Sequence, residues 1–229
     1  MNGEPLVDDE GFGPRTSFAL RAWQKGNALR ATGVFGAPDE ALASSQGFVP
    51  FVQARRCTIL YPQRSRAVRL IVIHDMEYPE TPRGAEWCAE FFAAPGSPIA
   101  SAHYAVDALH VYQCVRDWDV AWHAPGANHD GIGIEHAGYA SQSREDWLDD
   151  YSRAELERSA ALAARIAERY GIPAVRLTGD TLRDVTNKGF AGHLDCTDAF
   201  SGGRGHVDPG EGFPWDEYLA MVTGHLQSA

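Results

Sequence analysis

The sequence predicts an α/β domain, with a mixed central β-sheet flanked by helices, behind a short helical N-terminal segment. Three observations carry that expectation. The run Val68-Arg69-Leu70-Ile71-Val72-Ile73-His74 is apolar and β-branched, then turns polar at once, as a strand buried on both faces does. An alanine-rich stripe of Leu156, Ala160, Ala163, Ile166 and Ala167 marks a long helix over Ser152–Tyr170, stopped by Gly171. Between them, two alternating stretches, Ser101–Asp107 and His110–Val115, are close enough to form an antiparallel hairpin. Strands alternating with helices, plus one hairpin, give a mixed sheet.

Taken in order, residues 1–50 form the helical N-terminal segment. Thr16 or Ser17 is the expected cap, Phe18, Ala19, Ala22 and Trp23 the apolar face, and Gly26-Asn27 the stop; Asp39–Ala43 reads as a further helical turn. Residues 51–66 read as a linker that becomes an edge segment, and residues 67–229 as the main domain. Thr81–Phe92 is expected to be a helix with Thr81 as cap and Pro82 in the first turn. Trp118–His123 is a short aromatic segment, Gly131–His136 a strand, and Ser152 with Glu155 a capping box for the long helix. Val175–Leu177 is a brief strand. Gly192–Trp215 lacks apolar periodicity and reads as loop over most of its length, and Trp215–Leu226 closes the chain as an amphipathic helix.

Composition narrows the function. The chain has 229 residues, a net charge of −11 and 44% hydrophobic residues, so it can bury a sizeable core but lacks the basic face that nucleic acid requires. No apolar run is long enough to insert into a membrane, and no secretory leader pattern opens the chain. Cys57, Cys88, Cys114 and Cys196 are too scattered for a disulfide framework and are expected to be buried thiols. A monomer is expected.

The chemistry concentrates at His74, His193 and Asp208. His74 lies at a strand exit, where side chains face the ligand crevice of open sheets. His193 follows Gly189 and Gly192, and Asp208 precedes the turn-forming Pro209-Gly210. Two histidines and a carboxylate are a donor set for a zinc ion, Zn2+, that keeps one position open.

The motifs I-V-I-H, S-A-H-Y, A-W-H-A, N-H-D-G-I-G-I-E, G-H-L-D and H-V-D-P-G-E-G-F-P-W occur in this order over about residues 68–226. In that order they resemble the zinc-dependent N-acetylmuramoyl-L-alanine amidases of the type-2 class, which include phage endolysins and relate to the peptidoglycan recognition proteins. The resemblance implies a peptidoglycan hydrolase that cuts the amide between N-acetylmuramic acid and L-alanine with zinc-activated water. It implies His74, His193 and Asp208 as zinc ligands, and Glu135 as the acid that activates the water. Ala102 stands where some members carry a tyrosine, which leaves that task to Glu135. His206 occupies the place of a lysine that stabilises the oxyanion. His123, Trp122 and Asn128 match positions near the substrate groove. Cys196 does not align with the cysteine ligand of other members. Asp75 and Asp195 are candidates to hydrogen-bond a ligand histidine. His103 reads as a sheet residue, and His129 and His136 receive no role.

The alternatives are a non-catalytic peptidoglycan-recognition module and a zinc peptidase acting on stem peptides. The segment G-F-G-P-R-T, A-L-R-A-W-Q, T-G-V-F-G resembles the second half of a small helical peptidoglycan-binding repeat. The partner implied is bacterial peptidoglycan and the place of action the cell wall; the absent leader fits a phage lysin made in a host cytoplasm.

Overall fold

The structure is a computed structural model that describes residues 14–32, 38, 42–43, 52–53, 57, 60–96 and 99–228. The chain divides into two compact units, Met1–Pro50 and Phe51–Ala229. In the first, helix α1 spans Pro14–Gly26. It begins ahead of Thr16 and Ser17 because Pro14, with its fixed φ and no N–H to satisfy, suits a first helical turn. It ends as expected, where the Asn27 backbone N–H (3.0 Å) and side-chain amide (2.9 Å) both donate to the carbonyl of Trp23. Most of Asp39–Ala43 lies outside the described residues.

The second unit is built on a six-stranded sheet in the order β1-β5-β4-β7-β3-β8. These strands are β1 (Val52–Gln53), β3 (Leu70–Asp75), β4 (Tyr104–Val106), β5 (Val111–Gln113), β7 (Gly131–His136) and β8 (Gly189–Gly192). β4 and β5 pair antiparallel as the expected hairpin, and every other neighbour in the sheet pairs parallel. A separate ribbon pairs β2 (Leu60–Tyr61) with β6 (Val120–Ala121). β3 is buried at every residue between β7 and β8, which explains its unbroken apolar sequence.

Side chains alternate across the sheet and sort the two layers. Leu70 and Val72 pack with Leu182 and Cys196, which belong to helices α4 (Gly179–Arg183) and α5 (His193–Phe200). Ala105 packs with Ala85, Cys88 and Phe92 of helix α2 (Gly84–Ala93). On the opposite face lie helices α3 (Asp150–Tyr170) and α6 (Trp215–Ser228), joined to the sheet through His136, Ser159 and Tyr218. A short 3-10 turn, Asp146–Leu148, precedes α3 and buries Trp147. All four cysteines are buried, and among the described residues no helix is long and apolar enough to cross a membrane.

Several elements differ from expectation. α3 is capped by Asp149, whose side chain accepts from the Ser152 N–H, and not by a Ser152–Glu155 box. Ser152 and Glu155 are both taken by tertiary partners: the Ser152 hydroxyl donates to Glu80, and Glu155 accepts from the Ala137 N–H. The helix ends at Gly171 as expected, in a left-handed conformation with φ 62°. α2 starts at Gly84 rather than Thr81, whose carbonyl instead closes a turn with the Gly84 N–H. Val175–Leu177 supplies only an isolated bridge, Arg176 to Phe190. The segment expected to be loop contains α5, which starts at His193.

Candidate metal centre and groove

Two strand exits and one loop converge. His74 is the fifth residue of β3 and sits in register with Glu135 on β7, so both side chains emerge on the same face. His193 is the first residue of α5, directly after β8. Gly192 caps that helix. A Cβ there would meet Pro209 Cδ at 3.0 Å and Trp215 at 3.3 Å, so the glycine lets the loop after Asp208 lean on the strand exit. The Asp195 carboxylate turns back to accept from the Gly192 N–H at 2.7 Å, which satisfies a first-turn donor.

Asp208 is tethered to the same helix. Its carbonyl accepts from the Leu194 N–H at 2.8 Å. Two residues earlier the His206 carbonyl accepts from the Thr197 hydroxyl at 2.9 Å. The Asp208 carboxylate then faces both histidines: His74 Nδ1 lies 2.9 Å from Oδ2, and His193 Nδ1 lies 3.1 Å from Oδ1. One donor atom from each of the three residues falls within 4.8 Å of the others, and all three residues are buried. Burial alone would raise the Asp208 carboxyl, but hydrogen bonds from His193 and His74 outweigh it and hold the group well below the usual carboxylate range. Burial pushes His74 below its usual value, partly offset by Asp208. Neutral imidazole is the form that ligates a metal.

His123 stands behind His74. Its Nδ1 is 3.0 Å from His74 Nε2, the nitrogen turned away from Asp208, and the two rings meet edge to face. This contact explains the G-I-G-I pattern of β7. A Cβ on Gly133 would lie 2.8 Å from His123 Cγ, and one on Gly131 would lie 2.7 Å from the Ala127 carbonyl oxygen and 3.3 Å from His123 Cε1. The strand must be bare where the His123 ring packs. Burial keeps the His123 ring far below its usual pKa. Asn128 Oδ1 accepts from the backbone N–H groups of His123 (2.8 Å) and Ala124 (2.7 Å), and so shapes the loop that carries His123.

A groove of about 900 Å3 opens on this cluster, lined by Glu135, Trp122, His206, Phe91 and Ile99 among others. Glu135 lies half-buried on its floor; burial, then repulsion from Asp208 and Asp75, raises its carboxyl well above the ordinary value. Trp122 is half-buried, tilted against the exposed Tyr61 with centroids 5.4 Å apart. The His206 ring is exposed at the lip and stacks on His193 at 4.8 Å and 7°, with Nδ1 3.7 Å from Asp208 Oδ1.

The other candidates are placed as follows. Asp195 pairs with Arg176 through both carboxylate oxygens, and Arg176 in turn lies 4.5 Å over the Trp215 ring. Asp75 accepts from the Glu77 N–H, and burial pushes its carboxyl up to about 8. His103 is fully buried, 2.7 Å from Arg64, and accepts at Nδ1 from the Gly133 N–H. Cys196 is buried in the core beneath α5. His136, given no role from sequence, bonds the backbone of His74. No local pattern announces that contact, since its partner lies 62 positions away.

The donor set suits a divalent metal. Two imidazole nitrogens and a carboxylate oxygen converge, one imidazole is braced at its far nitrogen, and the groove leaves an approach from one side.

Residues 64–211 match the family described as N-acetylmuramoyl-L-alanine amidase. The chain is similar to N-acetylmuramoyl-L-alanine amidase A of Achromobacter lyticus, 28% identical over 177 residues that cover 72% of this chain and 88% of that protein. Among solved structures it resembles a selenomethionine AmpD derivative, with a TM-score of 0.55 and 18% identity over 77% of this chain and 97% of that one. It also resembles Staphylococcus aureus hydrolase AmiA in complex with its ligand, with a TM-score of 0.56 and 15% identity over 86% and 96% of the two chains. At these identities the two structures establish the shared fold.

Proposed function

Because this chain belongs to the N-acetylmuramoyl-L-alanine amidase family, and so hydrolyses peptidoglycan, we propose that His74, His193 and Asp208 hold a zinc ion and that Glu135 is the catalytic base. The observation that carries this reading is the convergence of those three buried donors in one groove with Glu135, which faces it from the register position beside His74. Zinc bound there would supply a Lewis acid for the amide carbonyl and for water, and its charge would favour the ionised form of the Glu135 carboxyl, which burial raises.

The chain's own groups do the rest. Glu135 takes a proton from the attacking water at its carboxylate and delivers it to the L-alanine nitrogen as the C–N bond breaks. His206, at the lip with about three-quarters of its side chain exposed, offers an N–H to the developing oxyanion. His123 fixes the orientation of the His74 ring, and Asn128 serves by holding the His123 loop. Trp122 presents an apolar edge to the substrate. The scissile bond is the amide between the lactyl group of N-acetylmuramic acid and L-alanine.

Mass spectrometry of digested peptidoglycan, paired with metal analysis of wild type and His74→Ala, tests this. The expected result is stem peptides with a free L-alanine amino group, about one zinc per wild-type chain and none in the variant. Fragments cut between two amino acids, or zinc retained by His74→Ala, would overturn it.

A further inference from the structure

His136 is a fully buried histidine that the reaction above does not use. It sits at the end of β7, on the face opposite the groove, and joins three elements. Its Nδ1 lies 2.9 Å from the backbone carbonyl of His74. Its Nε2 lies 2.7 Å from the hydroxyl of Ser159 on α3. That hydroxyl lies 2.8 Å from the hydroxyl of Tyr218 on α6. Ser159 and Tyr218 are fully buried as well.

The direction of these bonds follows from what each atom can do. A carbonyl oxygen only accepts, so Nδ1 must carry the hydrogen. In the neutral imidazole Nε2 is then bare and only accepts, so the Ser159 hydroxyl donates to it. The remaining lone pair on Ser159 accepts from the Tyr218 hydroxyl. The chain therefore runs one way, from Tyr218 through Ser159 and His136 to His74. It engages the backbone of His74 one residue past the end of the β3–β8 ladder at Ile73, on the side where β3 remains paired with β7.

The same cluster meets the other side of the metal centre. Phe213, five residues after Asp208, packs edge-on against His136 (6.0 Å), Tyr218 (5.4 Å) and Trp147 (5.3 Å). His136 thus touches both the strand that presents His74 and the segment that follows Asp208.

We infer that His136, Ser159 and Tyr218 are positioning residues for the divalent-metal centre, a directed hydrogen-bond chain through which the C-terminal helix sets the backbone carrying His74. This rests on the proposed metal site. It assigns α6 a part in metal binding although it supplies no ligand.

The test uses the full zinc-loaded protein with Ser159→Ala, Ser159→Thr and Tyr218→Phe. Zinc affinity is read by competition with a chromophoric chelator, and the His136 tautomer by ring 15N chemical shifts. Wild-type His136 is expected to be the Nδ1–H tautomer with and without zinc. Ser159→Ala removes the donor to Nε2 while the His74 carbonyl still holds the hydrogen on Nδ1; zinc affinity should fall about tenfold, and the Nε2 shift should move to that of an unbonded ring nitrogen. Tyr218→Phe should weaken zinc by less, because the Ser159-to-His136 bond survives. Ser159→Thr keeps a hydroxyl and should restore the wild-type Nε2 shift and affinity. A merely structural role would lower melting temperature in all variants while leaving zinc affinity alone. That pattern, or an Nε2–H tautomer in wild type, would overturn the inference. A wild type that takes up no zinc overturns the metal centre first and this role with it.

Discussion

Replacing Gly210 by alanine should damage the enzyme in a way that replacing Gly224 should not. Gly210 follows Asp208 by two residues and has φ +83°, a conformation that costs an L-residue about 1–2 kcal/mol. A Cβ there would lie 1.9 Å from the carbonyl oxygen of Ala140 and 2.8 Å from its carbon. Those atoms are backbone, and the Ala140 N–H is held by Glu77, so the neighbour cannot step aside as a flexible side chain would. Overpacking of this kind adds roughly 1–3 kcal/mol, for a total of about 2–5 kcal/mol. In a unit of this size each kcal/mol moves the melting temperature by about 2–4 °C, so Gly210→Ala should melt roughly 4–20 °C below wild type. A Cβ on Gly224, inside α6, meets nothing within 4 Å. Ala there should gain about 0.5–1 kcal/mol of helix stability and melt slightly higher. The assay is thermal unfolding in chelator, which removes the contribution of bound metal. If Gly210→Ala melts within about 2 °C of wild type, the close approach of the two loops is not what fixes the Asp208 turn.

Two other perturbations have definite outcomes. Gly133→Ala would drive a methyl group into the His123 ring, 2.8 Å away, and push that ring off His74 Nε2. Zinc affinity should fall roughly 10–100-fold by chelator competition, and an unchanged affinity would remove His123 from the site. Glu155 is fully buried, and burial holds its carboxyl well above the ordinary value. The folded state therefore keeps a proton that the unfolded chain releases above about pH 4.3. Wild type loses that contribution as pH rises toward the folded value, by up to about 1.4 kcal/mol per pH unit. Glu155→Gln, which keeps an acceptor for the Ala137 N–H, should gain on wild type as pH rises above about 4.3 in denaturant titrations. A stability difference that does not change with pH would contradict the assignment.

The parts of the site that the sequence displayed are those whose geometry is set by their immediate neighbours. His74 stands where a buried strand turns polar, His193 follows a glycine that lets a loop approach, and Asp208 precedes a Pro-Gly turn. The sheet was equally legible, because β3 and the β4–β5 hairpin carry their periods in short contiguous runs. What stayed hidden depends on partners distant in sequence. Helix α5 spans only His193–Phe200, too short for an apolar stripe, and its first turn is completed by the Asp208 carbonyl. Ser152 and Glu155 have the spacing of a capping box, yet Glu80 and Ala137 claim them and Asp149 takes the cap. Asn128 and His136 are polar residues whose work is visible only once the chain has folded the His123 loop and α3 against them.

The central claim is that Glu135 moves the proton in a groove where His74, His193 and Asp208 hold the metal. Single-turnover release of stem peptide from purified peptidoglycan by zinc-loaded Glu135→Gln tests it most directly. The rate should fall about 10²–10⁴-fold below wild type with one zinc still bound. Release at the wild-type rate would contradict it.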